Sequence, residues 1–381
     1  MKKSLLLLLL SLLCICSMSQ NKGEYSLSTF GQWGWVVPTN GFLGGNNTSN
    51  TPISQMYVAS LRFVKHTSGD KYWHQLYDYP SFGVGVSGAA FNVPNQLGEP
   101  STLYAFLSKP IVQRGKYSLF GDYSVGITYN WLHFTTEHPE RTAMGAAASC
   151  YLDASFVLKR QMGKNFDLGL GLSFSHYSNG AIKRPNHGVN VLSAKLSVDY
   201  FPKGKVQHTI LPLPDFEGHI IDLWSGFVGS HNFLTVLSSS VVDEPYISRS
   251  YFVCGIDRRV LWRFNLKHSL GLGIGVGYDQ YVGTSYRVFS RKPYFYEINH
   301  ADRLNFSVYI SYEYRIHRLG IVLEPGIYLY KNKLDESRLL FQRVGLRYYM
   351  KNSCFFGANL RAAQFSVAQY IEWTFGYAIE N

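Results

Sequence analysis

The chain has 381 residues, a formal charge of +11 at neutral pH, 16% aromatic and only 16% charged residues. So aromatic and so sparsely charged a composition is what a membrane barrel needs, and for an exported protein the basic balance points to anionic lipid headgroups before nucleic acid. Beyond the first residues no apolar run is long enough to make a membrane-spanning helix.

The chain opens as an export leader. Lys2 and Lys3 form the positive region, Leu5–Leu13 the apolar region, and Ser17-Met18-Ser19 a small-residue cleavage site, so 1–19 is read as a signal peptide with the mature start at Gln20. Cys14 and Cys16 lack the small preceding residue of a lipid-modified cysteine. The cysteines beyond the leader, Cys150, Cys254 and Cys354, are too widely spaced for a disulfide framework or a metal site.

From there the sequence alternates with period two. Strands are predicted at 24–37, 54–66, 81–91, 101–111, 117–131, 146–160, 166–178 and 190–201. After a Pro- and His-bearing stretch at 202–216 they resume at 218–236, 249–262, 268–281, 303–316, 319–330, 340–350, 354–363 and 369–379. Side chains at i and i+2 share a face. Tyr117, Leu119, Tyr123, Val125, Ile127, Tyr129 and Trp131 fall opposite Ser118, Asp122, Ser124, Thr128 and Asn130. Leu304, Phe306, Val308, Ile310, Tyr312, Tyr314 and Ile316 oppose Asn305, Ser307, Ser311, Glu313 and Arg315. Faces apolar on one side and polar on the other, rich in aromatics, fit a spanning barrel, which satisfies every backbone amide where lipid offers no partner. The expected fold is all-β: an antiparallel transmembrane β-barrel of about 12–16 strands, or two eight-stranded halves.

Short turns at 111–116, 161–165, 263–268, 317–319 and 351–354 alternate with longer polar loops at 38–53, 133–145, 179–189, 283–302 and 331–338. Outer-membrane barrels place short turns toward the periplasm and long loops outside. The expected division is a leader (1–19), a first barrel half carrying the site (20–202), a linker or periplasmic turn (203–216) and a second half (217–381).

Residues 166–178 carry the most specific pattern. Phe166, Leu168, Leu170, Leu172 and Phe174 make one apolar face, which ends in His176 and Ser178. The following run puts Asn190 at the head of Leu192, Ala194, Leu196, Val198 and Tyr200. Paired as a hairpin, the two runs bring His176, Ser178 and Asn190 together at a water–lipid boundary. A serine hydroxyl needs an adjacent base, and the base needs a third group to hold its tautomer. Ser178 is the nucleophile candidate, His176 the base and Asn190 the orienter. Asn179 and Gly180 are the candidate oxyanion donors, and Lys183 and Arg184 candidate phosphate-binding residues. Glu137 and Glu140 are candidates for a substitute carboxylate. The bland alternative is an interfacial histidine and serine. The Gly-x-Gly runs near 169–171 and 271–277 are strand residues, since no helix follows them.

The stretch from His176 to Asn190 resembles the lipid A 3-O-deacylase family of outer-membrane barrels, through His-x-Ser-Asn, Pro185-Asn186, Gly188 and a polar residue 14 positions after the histidine. The resemblance implies an eight-stranded barrel acting on lipid A, with Ser178 and His176 in the family's catalytic roles and Asn190 where the family has glutamate. The serine–histidine–asparagine spacing also resembles outer-membrane phospholipase A, which uses calcium, although Ala181 and Asn186 do not match its calcium-binding positions. The expectation is an outer-membrane serine esterase, first on lipid A or lipopolysaccharide and second on a phospholipid of the outer leaflet. It needs no cofactor, calcium being left open, and it binds no nucleic acid. The alternative is a non-enzymatic pore with a degenerate site. The second half carries no His-x-Ser.

Overall fold

The computed structural model describes residues 23–237, 246–296, 298–335, 337–364 and 367–380. The leader and its cleavage point lie outside them. The chain divides into two compact units, one running through Asn179 and resuming at Asn186–Pro214, the other made of Gly180–Pro185 and the chain from Asp215 on.

In the first unit β1 (Tyr25–Val37), β2 (Gln55–His66), β3 (Ser81–Phe91), β4 (Gly98–Arg114), β5 (Tyr117–Trp131), β6 (Ala148–Gln161), β7 (Phe166–Ser178) and β8 (Val189–Tyr200) close into an antiparallel barrel. Each strand pairs with the next, and β8 returns to β1 through register partners such as Gly31 and Leu196. The period-two pattern becomes an inside and an outside. Leu170 is 66% exposed on the outer wall, while Asp153, Asp167, Ser173 and Ser175 are buried inside. Large apolar side chains exposed all round a closed barrel are what lipid, not water, requires.

Polar side chains fill the middle of this barrel. Arg62 pairs with Asp122 at 3.0 Å, Ser108 Oγ donates to the same carboxylate at 2.6 Å, and Lys159 pairs with Asp199 at 2.7 Å. Asp153 accepts hydrogen bonds from Ser155, Ser173 and Ser175. Charges buried in this way persist because each has a partner. An apolar cluster that includes Met56, Phe91, Trp131, Met144, Tyr151, Tyr177 and Val189 packs with them.

Trp131 departs from the predicted face. It is 2% exposed, because Asn130 takes φ +76° and breaks the alternation, turning the indole inward onto Phe91 and Tyr177. The 67–80 connection holds a short helix, Tyr72–Leu76, and a second short helix, Pro94–Leu97, precedes β4. The 202–216 stretch holds no strand. It lies along the 67–80 connection, with Thr209 N–H donating to Ser68 O at 2.7 Å and His208 stacked on Tyr79 at 3.9 Å.

In the second unit β9 (His219–Val236), β10 (Tyr246–Arg263), β11 (His268–Asp279), a pair outside the barrel, β12 (Ser285–Phe289) and β13 (Lys292–Tyr296), then β14 (Leu304–Ile316), β15 (Leu319–Tyr330), β16 (Leu340–Tyr349), β17 (Cys354–Ala363) and β18 (Val367–Glu380) follow in order. All but β12 and β13 close a second antiparallel barrel, with β18 returning to β9. Its interior is an ion-pair lattice: Arg259–Glu324 at 2.6 Å, Arg343–Asp257 at 3.1 Å, Arg343–Glu372 at 3.0 Å, Arg347–Glu313 at 2.5 Å and Arg361–Glu372 at 2.9 Å. The 283–302 segment, read from sequence as a plain polar loop, is instead the β12–β13 hairpin followed by a 3-10 turn, His300–Arg303.

Candidate functional site

Strands β7 and β8 position the site. Their register pairs Phe166 with Tyr200, Leu170 with Leu196 and Phe174 with Leu192, so their outward faces form one apolar wall. The next outward pair is His176 and Asn190. Ser178 is the last residue of β7, two positions beyond His176 and on the same face. All three are partly exposed, whereas the residue between His176 and Ser178, Tyr177, is buried.

The Nδ1–H of His176 donates to Asn190 Oδ1 at 2.6 Å. An amide oxygen only accepts, so the proton sits on Nδ1 and the Nε2 lone pair is left to take a proton. The side chain of Asn186 enters from the loop: its Nδ2 donates to Ser178 Oγ at 2.7 Å, and its Oδ1 accepts from Asn179 N–H at 3.1 Å. Asn186 therefore stands at the nucleophile candidate, held by the residue that follows it. In the sequence Asn186 stands out only as part of the family resemblance and as a mismatch to a calcium ligand. An asparagine in a polar loop carries no periodic signal, and its approach depends on how the loop folds back.

That fold-back has local causes. Gly188 has φ +72°, and a Cβ there would lie 2.9 Å from Tyr177 O and 3.3 Å from the His176 ring. Glycine thus supplies both the left-handed turn and the room beside the imidazole. The neighbouring 132–147 loop braces the same segment, with His187 N–H donating to Thr142 O at 3.3 Å and Gly188 N–H to Ala143 O at 2.9 Å.

Of the remaining candidates, Asn179 and Gly180 are buried at the strand end, Gly180 with φ +62°. Lys183 is exposed and Arg184 partly buried. Glu140 contacts His138 at 3.3 Å, within its own loop.

A hydroxyl, an imidazole and an amide thus stand where the apolar outer wall of a closed barrel ends, residue types suited to acyl-ester chemistry at a membrane. The chain matches the lipid A 3-O-deacylase family over residues 57–199 and the C-terminal domain of acyloxyacyl hydrolase over residues 221–381. It belongs to the lipid A 3-O-deacylase family and is an ester hydrolase of the outer membrane. No curated protein matches it. Among solved structures it is similar to an outer membrane channel from Pseudomonas putida F1, at 9% identity over 95% of this chain and 97% of that one, with a TM-score of 0.21. It is also similar to an outer membrane protein of Acinetobacter baumannii, at 8% identity over 94% and 100% of the two chains, with a TM-score of 0.18. At those scores neither likeness carries an argument about fold or function.

Proposed function

We propose that the chain removes an ester-linked acyl chain from lipid A in the outer leaflet by a Ser-His-Asn mechanism. The observation that carries it is the pair of hydrogen bonds at the rim of the lipid-facing wall, His176 to Asn190 at 2.6 Å and Asn186 to Ser178 at 2.7 Å.

In this reading Ser178 Oγ attacks the acyl carbonyl while its proton passes to His176 Nε2. Asn190 Oδ1 holds the other ring N–H and so keeps the tautomer and ring orientation. The carbonyl oxygen, now negative, is met by the Asn186 amide. The C–O ester bond breaks, the leaving sugar oxygen takes the proton from His176, and an acyl-serine remains. Water then attacks the acyl carbon, giving a proton to His176; the acyl carbon–Oγ bond breaks, His176 returns that proton to Ser178 Oγ, and a fatty acid leaves. Lys183 and Arg184 are suited to the phosphates of the headgroup through charge-assisted hydrogen bonds. No step uses a metal, so EDTA should leave the rate unchanged. A leader cleaved near Ser19 would deliver the chain for insertion.

The test is mass spectrometry of lipid A and phospholipids after incubation with refolded protein, wild type beside Ser178→Ala. Loss of one hydroxyacyl chain from lipid A with wild type alone supports the reading. A lysophospholipid in its place moves the substrate to phospholipid. No change in either lipid, with the barrel folded by heat-modifiable migration, refutes hydrolysis by this site.

A further inference from the structure

The β12–β13 hairpin lies between β11 and β14, outside the second barrel, in one of its longer connections. Its two faces differ. On one, Tyr286, Val288, Pro293 and Phe295 are partly buried: Phe295 lies under the Arg249 guanidinium of β10 at 3.7 Å, and Tyr286 is within 6.5 Å of the Phe233 ring of β9. On the other, Arg287, Phe289, Lys292, Tyr294 and Tyr296 are exposed, Phe289 by 78% and Tyr294 by 62%. The barrel thus uses one face and leaves a row of rings and cations on the other.

The turn adds a third cation. Tight hairpin turns need positive φ at both central residues and favour Asn-Gly. Here Ser290 and Arg291 hold φ +48° and +59°, so an exposed arginine stands at the tip at a conformational cost that glycine would avoid. Between Gln280 and Tyr296 there is no acidic residue, and Arg287, Arg291 and Lys292 are all basic. A surface of this kind has apolar rings for the hydrocarbon boundary and positive charge for phosphate.

We propose that the exposed face of this hairpin docks on the phosphorylated sugar headgroup of lipid A in the outer leaflet. The inference rests on the lipid A reading of the substrate. The charge complementarity rests on Arg287, Arg291 and Lys292, three positive charges within six residues on a segment whose flanking acids in sequence, Asp279 and Glu297, lie outside the paired strands. The hairpin belongs to a connection at the long-loop end of its barrel, the end that faces the leaflet where this lipid lies. Arg287, 5.5 Å from the Tyr296 ring, is set to reach phosphate while the ring rests on acyl chains.

The experiment uses the full chain carrying Ser178→Ala, so that the lipid is not consumed, in bicelles that leave both membrane faces open. Trypsin can cut after Arg287 and Arg291, whereas the bond after Lys292 is protected by Pro293. Peptides ending at Arg287 and Arg291 are followed by mass spectrometry. With lipid A added to phosphatidylcholine, cutting at both sites should slow about tenfold, the scale expected of one to two surface cations engaged by phosphate. Dephosphorylated lipid A should give little protection, and Phe289→Ser/Lys292→Gln, which keeps both cutting sites, should lose most of it. Equal cutting with and without lipid A overturns the proposal. Equal protection by dephosphorylated lipid A or by phosphatidylglycerol overturns the phosphorylated sugar as the occupant. If the parent protein deacylates lipid A while the hairpin stays unprotected, this inference fails and the proposed function stands.

Discussion

At the scale of single residues, the site depends on which atoms of two asparagines face the serine and the histidine. Asn190 contributes only an acceptor, which fixes the His176 tautomer but offers no negative charge to an imidazolium. Asn190→Ala should therefore lower kcat by roughly 10²–10⁴-fold, whereas Asn190→Asp, nearly isosteric and still an acceptor, should match or exceed wild type. Steady-state kinetics on lipid A micelles would decide this. An inactive Asn190→Asp enzyme would refute the orienting role. Asn186→Ala removes the donor 2.7 Å from Ser178 Oγ and should cost about 10²–10³-fold in kcat with KM little changed. If instead KM rises and kcat holds, Asn186 binds substrate and does not stabilise the oxyanion. Gly188→Ala would force a Cβ into the left-handed region beside Tyr177 O and the His176 ring, at a cost of about 1–2 kcal/mol. It should reduce activity far more than it lowers the unfolding midpoint, because the strain falls on the site.

At the scale of elements, β7 shows how one strand serves two solvents. Asp167, Gly169, Ser173 and Ser175 fit a crowded interior, and a Cβ at Gly169 would lie 2.3 Å from Ser197 Oγ. Phe166, Leu168, Leu170, Leu172 and Phe174 face lipid until His176 and Ser178 end the apolar run. Leu170→Arg puts a charge in the middle of that face and should destabilise the folded barrel by about 2–4 kcal/mol in guanidinium titrations in lipid. The same substitution near the rim, at Leu192, should cost less. Equal costs at both positions would contradict a lipid-facing wall.

At the scale of the whole molecule, two barrels of the same strand number carry different chemistry. The second holds a histidine–carboxylate pair of its own, His231 with Asp279 at 2.9 Å, but both side chains are buried, with His231 4.3 Å from the Tyr281 ring. A base turned away from the outer wall does not meet a lipid ester. Ser178→Ala should accordingly abolish ester hydrolysis by the entire chain, and His231→Ala should leave it intact as long as the barrel folds. The second barrel is instead held by its buried ion pairs. Glu324→Gln leaves Arg259 and Arg343 short of charge and should cost about 3–5 kcal/mol of stability. With that lattice across the lumen, planar-bilayer recordings should give no steady ohmic conductance. A stable open level would favour the pore reading.

The sequence alone carried the strand pattern, because a barrel wall between lipid and a polar interior writes itself as strict alternation, and the pairing of His176 with Asn190 follows once the outward faces of 166–178 and 190–201 are matched. Sixteen strands were legible, but a sixteen-stranded ring and two rings of eight have the same alternation. Which edges meet is a long-range choice, made where β8 returns to β1 and β18 to β9. The inward turn of Trp131, the arrival of Asn186 at Ser178 and the β12–β13 hairpin were decided the same way. Each depends on a backbone angle or a loop contact, Asn130 at φ +76°, Gly188 at φ +72° and Phe295 under Arg249, that no periodicity encodes. Alternation is local and survives in one dimension; closure and loop return are settled only by packing in three.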